Sequence, residues 1–255
     1  MTAEDDVVDG EIRVADAQGV LPRLGLELHG RTVTGAALGA QPRAAGRDRG
    51  YGPMVNFCAA HGFVVIQPTH LDATFLGLRE VDDPDAPLYL KSRAEDLRQI
   101  VDHLGDIERT VPGLAGRLDA GRIAAVGHSA GGHAVGLISG QTITDTSGGS
   151  TVGAVDGRFG ARVMIAAPGR GEDLNGPAAQ PYATLTTTNF DGMTPKVLIV
   201  VGEKDWHPFF SDRQDWQAIP TPRLPRRRLD WRFSTRPIDA VLPASTAPIG
   251  RVESK

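Results

Sequence analysis

A single cysteine, Cys58, stands in the whole chain, which excludes an intrachain disulfide. Its neighbourhood, Val55-Asn56-Phe57-Cys58-Ala59-Ala60, reads as the buried face of a helix, so a reactive thiol is not expected. No run reaches the roughly 18 consecutive apolar residues that a membrane-spanning helix requires. The first residues, Met1-Thr2-Ala3-Glu4-Asp5-Asp6, are acidic where a secretory leader would be basic and then apolar. A cytoplasmic protein without a membrane partner is expected. Positive charge is also scarce: 27 Lys and Arg against 31 Asp and Glu give a net charge of -4, leaving no general field to recruit nucleic acid or anionic lipid. Small, neutral or weakly charged substrates fit that balance better. No cluster with metal-ligand spacing is present, and no histidine follows His207.

The 255 residues suffice for one large α/β domain with a proper core, and residues 1–255 are read as a single unit. Apolar runs of strand length alternate with helix-like stretches, as a parallel sheet with crossover helices requires. Phe63-Val64-Val65-Ile66-Gln67-Pro68 reads as a buried strand, preceded by a short helix from Met54 to Ala60 that stops at Gly62. From Leu90 to Leu104 the apolar residues Leu90, Ala94, Leu97, Ile100, Val101 and Leu104 recur at helical spacing, with Ser92 and Glu95 placed for a capping box. The segments 162–168 and 196–202 read as two further buried strands. No internal repeat appears.

The most informative string is Gly127-His128-Ser129-Ala130-Gly131, placed directly after the apolar run Ile123-Ala124-Ala125-Val126 and before a helix predicted from Gly132 to Ile138. A Gly-x-Ser-x-Gly turn between strand and helix is tight enough to strain its central residue, and glycines at 127 and 131 leave room for it. Ser129 is therefore the candidate nucleophile. The helix that follows would aim the backbone N–H of Ala130 at a developing oxyanion. After the strand at 196–202 comes Glu203-Lys204-Asp205, which brings a carboxylate to the same sheet edge, later in the chain. Asp205 is the first candidate for an orienting acid and Glu203 the second.

These residues resemble the α/β-hydrolase superfamily, in the branch of serine esterases that holds chlorophyllase-like, platelet-activating-factor acetylhydrolase-like and polyester-hydrolase-like proteins. The resemblance rests on Gly50-Tyr51-Gly52-Pro53, the run from Ala60 to His70, Val111-Pro112-Gly113-Leu114, Arg122 to His133, and Gly202-Glu203-Lys204-Asp205. It implies an α/β-hydrolase fold with helices on both faces of a mostly parallel sheet. It also implies a small-molecule ester substrate, no cofactor, and an acyl-enzyme on Ser129 that water releases. In that family a His-Gly loop gives the second oxyanion N–H; His29-Gly30 matches it and carries the role to the N–H of Arg31.

The family also places its base histidine well beyond the acid, where this chain has none. His207 lies two residues from Asp205, so as a base it would need another carboxylate, Glu172 or Asp173, to orient it. His128 and His133 flank the nucleophile, His61 and His103 read as helix-end or surface residues, and His29 and His70 belong to strand-end loops. From Ala218 to Lys255, six prolines and seven arginines replace the earlier pattern. That composition does not read as a strand and final helix, and a change of reading frame is expected there and across 31–49. The alternative to an ester hydrolase is accordingly a hydrolase-fold protein impaired by the missing histidine.

Overall fold

A computed structural model describes residues 26–29, 35–40, 51–68, 70, 86–111, 113–145, 149–179, 182–193, 197–202 and 205–218. Its centre is a six-stranded sheet of β1 (Leu26–His29), β2 (Gly35–Ala40), β3 (Phe63–Pro68), β4 (Ile123–His128), β7 (Phe159–Ile165) and β8 (Val197–Val200). The spatial order is β1-β3-β2-β4-β7-β8. Only β1 runs antiparallel to its neighbour; β3, β2, β4, β7 and β8 are mutually parallel, so their carboxyl ends share one edge. The chain is thus an α/β protein. A separate two-stranded ribbon pairs β5 (Ile143–Thr144) with β6 (Thr151–Val152).

Helices lie on both faces of the sheet, and β3 shows how its sequence achieves this. Successive strand residues point to opposite sides. Val64 and Ile66 join the main core with Ala94, Leu97 and Ile100 of α2 (Ala86–Asp102) and Val135 and Ile138 of α4 (Ala130–Ile138). Val65, between them, packs on Val55 of α1 (Gly52–Ala60) with Tyr51, Cys58 and Phe63. The unbroken apolar run from Phe63 to Ile66 is what burial on both faces demands. Burial also raises the pKa of the Cys58 thiol, which keeps it protonated and unreactive.

Several boundaries differ from those read in the sequence. The helix at α2 starts at Ala86 with Pro87 in its first turn, so Ser92 and Glu95 sit inside it and form no capping box; Glu95 instead accepts a bond from Arg98 at 3.0 Å. It breaks at His103, and Leu104 opens α3 (Leu104–Thr110). The strand expected at 162–168 ends at Ile165, because Ala166 turns to a φ of 44°. β1 and β2 form from segments with weak strand signals: Glu27 interrupts the first, and the second is Gly-Ala-Ala-Leu-Gly-Ala, without a β-branched residue. Residues 219–255, with most of the stretch assigned to a changed frame, lie outside the described residues.

Candidate active site

Ser129 ends β4 and opens α4 with φ 53° and ψ -120°. Ser129 and Ala166 are the non-glycine residues at positive φ among those described. Such backbone costs on the order of 1–3 kcal/mol and persists only where its surroundings impose it. Here parallel-ladder bonds continue past the strand ends: Ser129 N–H donates to the Ile165 carbonyl at 3.0 Å, and Ala166 N–H to the Val200 carbonyl at 2.8 Å. Glycine makes the turn possible at two places. A Cβ on Gly127 would sit inside the Gly131 carbonyl, and one on Gly132 would lie 2.7 Å from the Ala167 Cβ. The His133 N–H makes the first bond of α4, to the Ser129 carbonyl at 3.0 Å, so the N–H of Ala130 lies ahead of the helical ladder at its positive end.

The Ser129 side chain is half-buried and makes no cap hydrogen bond. Asp205 follows β8 at the same edge; its Oδ2 accepts the Gly202 N–H at 2.7 Å, folding the carboxylate back on its own turn. His207 is exposed, and its Nδ1 accepts the Phe209 N–H at 3.1 Å. That bond puts the ring proton on Nε2, whereas a triad base donates through Nδ1 to its acid. Glu172 pairs with Arg170 at 3.2 Å and Asp173 with Arg213 at 3.7 Å, and neither is bonded to His207. Ser129, Asp205 and His207 therefore share the carboxyl edge without being joined by hydrogen bonds. Arg31 and Glu203, the other candidates, lie outside the described residues.

Two polar pairs near this edge went unread in the sequence. His70, just past β3, bonds through Nδ1 to Asp96 Oδ2 of α2 at 2.6 Å, with both residues buried. The available signal was Asp96 itself, a carboxylate on the arc of α2 that also carries Arg93, Leu97 and Ile100. His128, the residue before Ser129, meets the Tyr51 hydroxyl through Nδ1 at 2.7 Å. On α4, His133 is fully buried with neither ring nitrogen hydrogen-bonded, and burial, with the Arg93 charge adding, drives its pKa down to about 3. His61 and His103 are helix-end residues, as expected, each bonding a carbonyl four residues back. Among the described residues no three His, Cys, Asp or Glu side chains group as metal ligands, and no helix is long and apolar enough to cross a membrane.

No family model matches the chain, and no curated protein matches it in sequence. Solved structures of esterases resemble it in shape. A truncated carbohydrate esterase from gut microbiota is 17% identical with a TM-score of 0.49, over 79% of each chain. Esterase 2 of Thermogutta terrifontis in its apo form is 13% identical with a TM-score of 0.46, over 79% of this chain and 74% of that one. A bifunctional GH43-CE protein of Bacteroides eggerthii is 16% identical, also at 0.46, and this chain spans only 26% of its length. At such identities and scores the site must be read from its own residues.

Proposed function

We propose that the chain is a single-domain α/β-hydrolase and a serine hydrolase of carboxylic esters, working through an acyl-enzyme on Ser129. The observation that carries the reading is the positive φ of Ser129 between a parallel strand and a helix N-terminus. A serine held in that strained turn has its hydroxyl presented at the sheet edge while the next N–H, that of Ala130, faces the same space. In this reading Asp205 is the acid, His207 the secondary candidate for the base, and the N–H groups of Ala130 and Arg31 bind the oxyanion. The substrate is a small-molecule ester, the chemistry needs no cofactor, and the protein works in the cytoplasm as one unit spanning 1–255.

A fluorophosphonate probe tests the nucleophile: it should label the wild-type chain at Ser129 and leave Ser129→Ala unlabelled. Equal labelling of both would remove Ser129 from the role.

A second reading, an impaired hydrolase, is favoured by the His207 ring, whose Nδ1 is bonded to a backbone N–H rather than to a carboxylate. Without a placed base, only binding and the oxyanion site remain, roughly 10³- to 10⁴-fold over water. Turnover of a short-chain p-nitrophenyl ester distinguishes the two. A feeble rate indifferent to His207→Ala supports impairment, whereas robust turnover that His207→Ala abolishes supports the active triad.

A further inference from the structure

One peptide unit is shared by the ends of β4, β7 and β8. The carbonyl of Ile165 accepts the Ser129 N–H at 3.0 Å, and the N–H of Ala166, in the same rigid plane, donates to the Val200 carbonyl at 2.8 Å. Ala166 then turns to a φ of 44°, a left-handed backbone that an alanine side chain disfavours. A turn of that kind persists only while its surroundings hold the peptide units on both sides of it. The unit before Ala166 is held by its two ladder bonds. The unit after it is held by Gln217, whose carboxamide nitrogen donates to the Ala166 carbonyl at 3.0 Å.

The donor is itself fixed in place. Gln217 lies in a single 3-10 turn, Trp216–Ala218, and the neighbouring Trp216 is buried, with its indole N–H donating to the Arg170 carbonyl at 2.8 Å. Gly169 packs so closely on this turn that a Cβ there would overlap the Trp216 carbonyl. The same connection meets the Ser129 turn a second time, since a Cβ on Gly132 would lie 2.7 Å from the Ala167 Cβ. Residues 165–170 are therefore bonded to the Ser129 turn at one end and to the Trp216–Gln217 step at the other.

We propose that Gln217 is a positioning residue for the nucleophile: by holding the Ala166 carbonyl it keeps the strained turn in place, and with it the Ile165 carbonyl that fixes the Ser129 amide; this rests on Ser129 being the nucleophile. Its influence passes through two peptide units and no reacting atom. With the bond lost, Ala166 can relax toward negative φ, the Ile165 plane tilts, and Ser129 spends part of its time in orientations that do not react. Such a loss lowers kcat and leaves KM alone, because the groups that would bind the substrate are unchanged.

The test compares wild type with Gln217→Met, which keeps the length without a donor, Gln217→Glu, which puts a carboxylate against the carbonyl, and Gln217→Lys, which restores a donor of similar reach. It uses p-nitrophenyl acetate turnover, the rate of Ser129 phosphonylation by a fluorophosphonate probe, and the thermal midpoint. At a temperature where every chain is folded, Gln217→Met and Gln217→Glu should lower kcat and the phosphonylation rate roughly tenfold with KM unchanged, and Gln217→Lys should recover most of the loss. Wild-type rates in Gln217→Met, or a raised KM with kcat intact, overturn the proposal. A loss in Gln217→Lys as large as in Gln217→Met does so too, since packing rather than the donated bond would then be at stake. A lowered midpoint with an unchanged rate makes the residue structural only. If the probe leaves wild type unlabelled, or labels Ser129→Ala as well, the nucleophile is wrong and the positioning role falls with it. Labelling confined to Ser129 at an unchanged rate in Gln217→Met removes only the role given to Gln217.

Discussion

His133 is where the cost of this architecture is clearest at the scale of one residue. It sits one turn into α4, wholly enclosed, beside Arg93 and without a hydrogen bond to either ring nitrogen. Folding holds it neutral, with a pKa near 3, while the unfolded chain takes up a proton at the ordinary value of 6.5. Between those values the unfolded state binds more protons, so stability is complete above about pH 6.5 and declines as the pH falls toward 3. At two pH units below the ordinary value the loss is about 2–3 kcal/mol. Urea midpoints measured at pH 7 and pH 4.5 should separate more widely for wild type than for His133→Leu; equal separations would mean that His133 is not the titrating group. The tight strand-to-helix turn at Ser129 could be read from the sequence because its signal is local, a Gly-x-Ser-x-Gly string after an apolar run. The confinement of His133 depends on α2 packing against α4, and nothing near position 133 announces that.

Among the elements, α2 does more than cover the sheet. Its inward arc carries Ala94, Leu97 and Ile100, but also Asp96, which grips His70 at the end of β3. The pair ties a helix to a strand end at 2.6 Å, and removing the carboxylate takes away the charged partner of the Nδ1 of a buried imidazole. Asp96→Ala should therefore cost on the order of 3 kcal/mol, and Asp96→Asn, which keeps an acceptor, clearly less. Urea titration of the two variants checks this, and equal losses would show that packing rather than the polar bond is at stake. β3, β4, β7, β8 and α2 were legible because each carries an apolar run or stripe of its own. β2 was not, since its small residues take their place in the sheet from parallel pairing with β3 and β4. The end of β7 was misjudged by three residues because Val163 to Ala167 is apolar throughout, and only the turn at Ala166 marks the boundary.

For the whole molecule, the parallel sheet brings the carboxyl ends of β3, β4, β7 and β8 to one edge, where segments as distant in sequence as Ser129, Ala166 and Gln217 come together. The Gln217 amide closes this arrangement by donating to the Ala166 carbonyl at 3.0 Å. Gln217→Ala should change global stability by only about 1 kcal/mol, the net worth of one hydrogen bond. It should nevertheless quicken hydrogen exchange at the Ala166 and Ser129 amides more than at β3; uniform exchange across the sheet would refute the link.

The bonds from Ser129 to Ile165, from Ala166 to Val200, and from Gln217 back to Ala166 also impose an order in time. During synthesis the serine emerges early, yet the carbonyl that accepts its amide bond belongs to β7, whose next residue is held by β8 and by Gln217. A nascent chain halted before Gln217 would carry Ser129, the proposed nucleophile, without the full set of bonds that pose it. Such a chain would be slow to react until the last of those segments had left the ribosome.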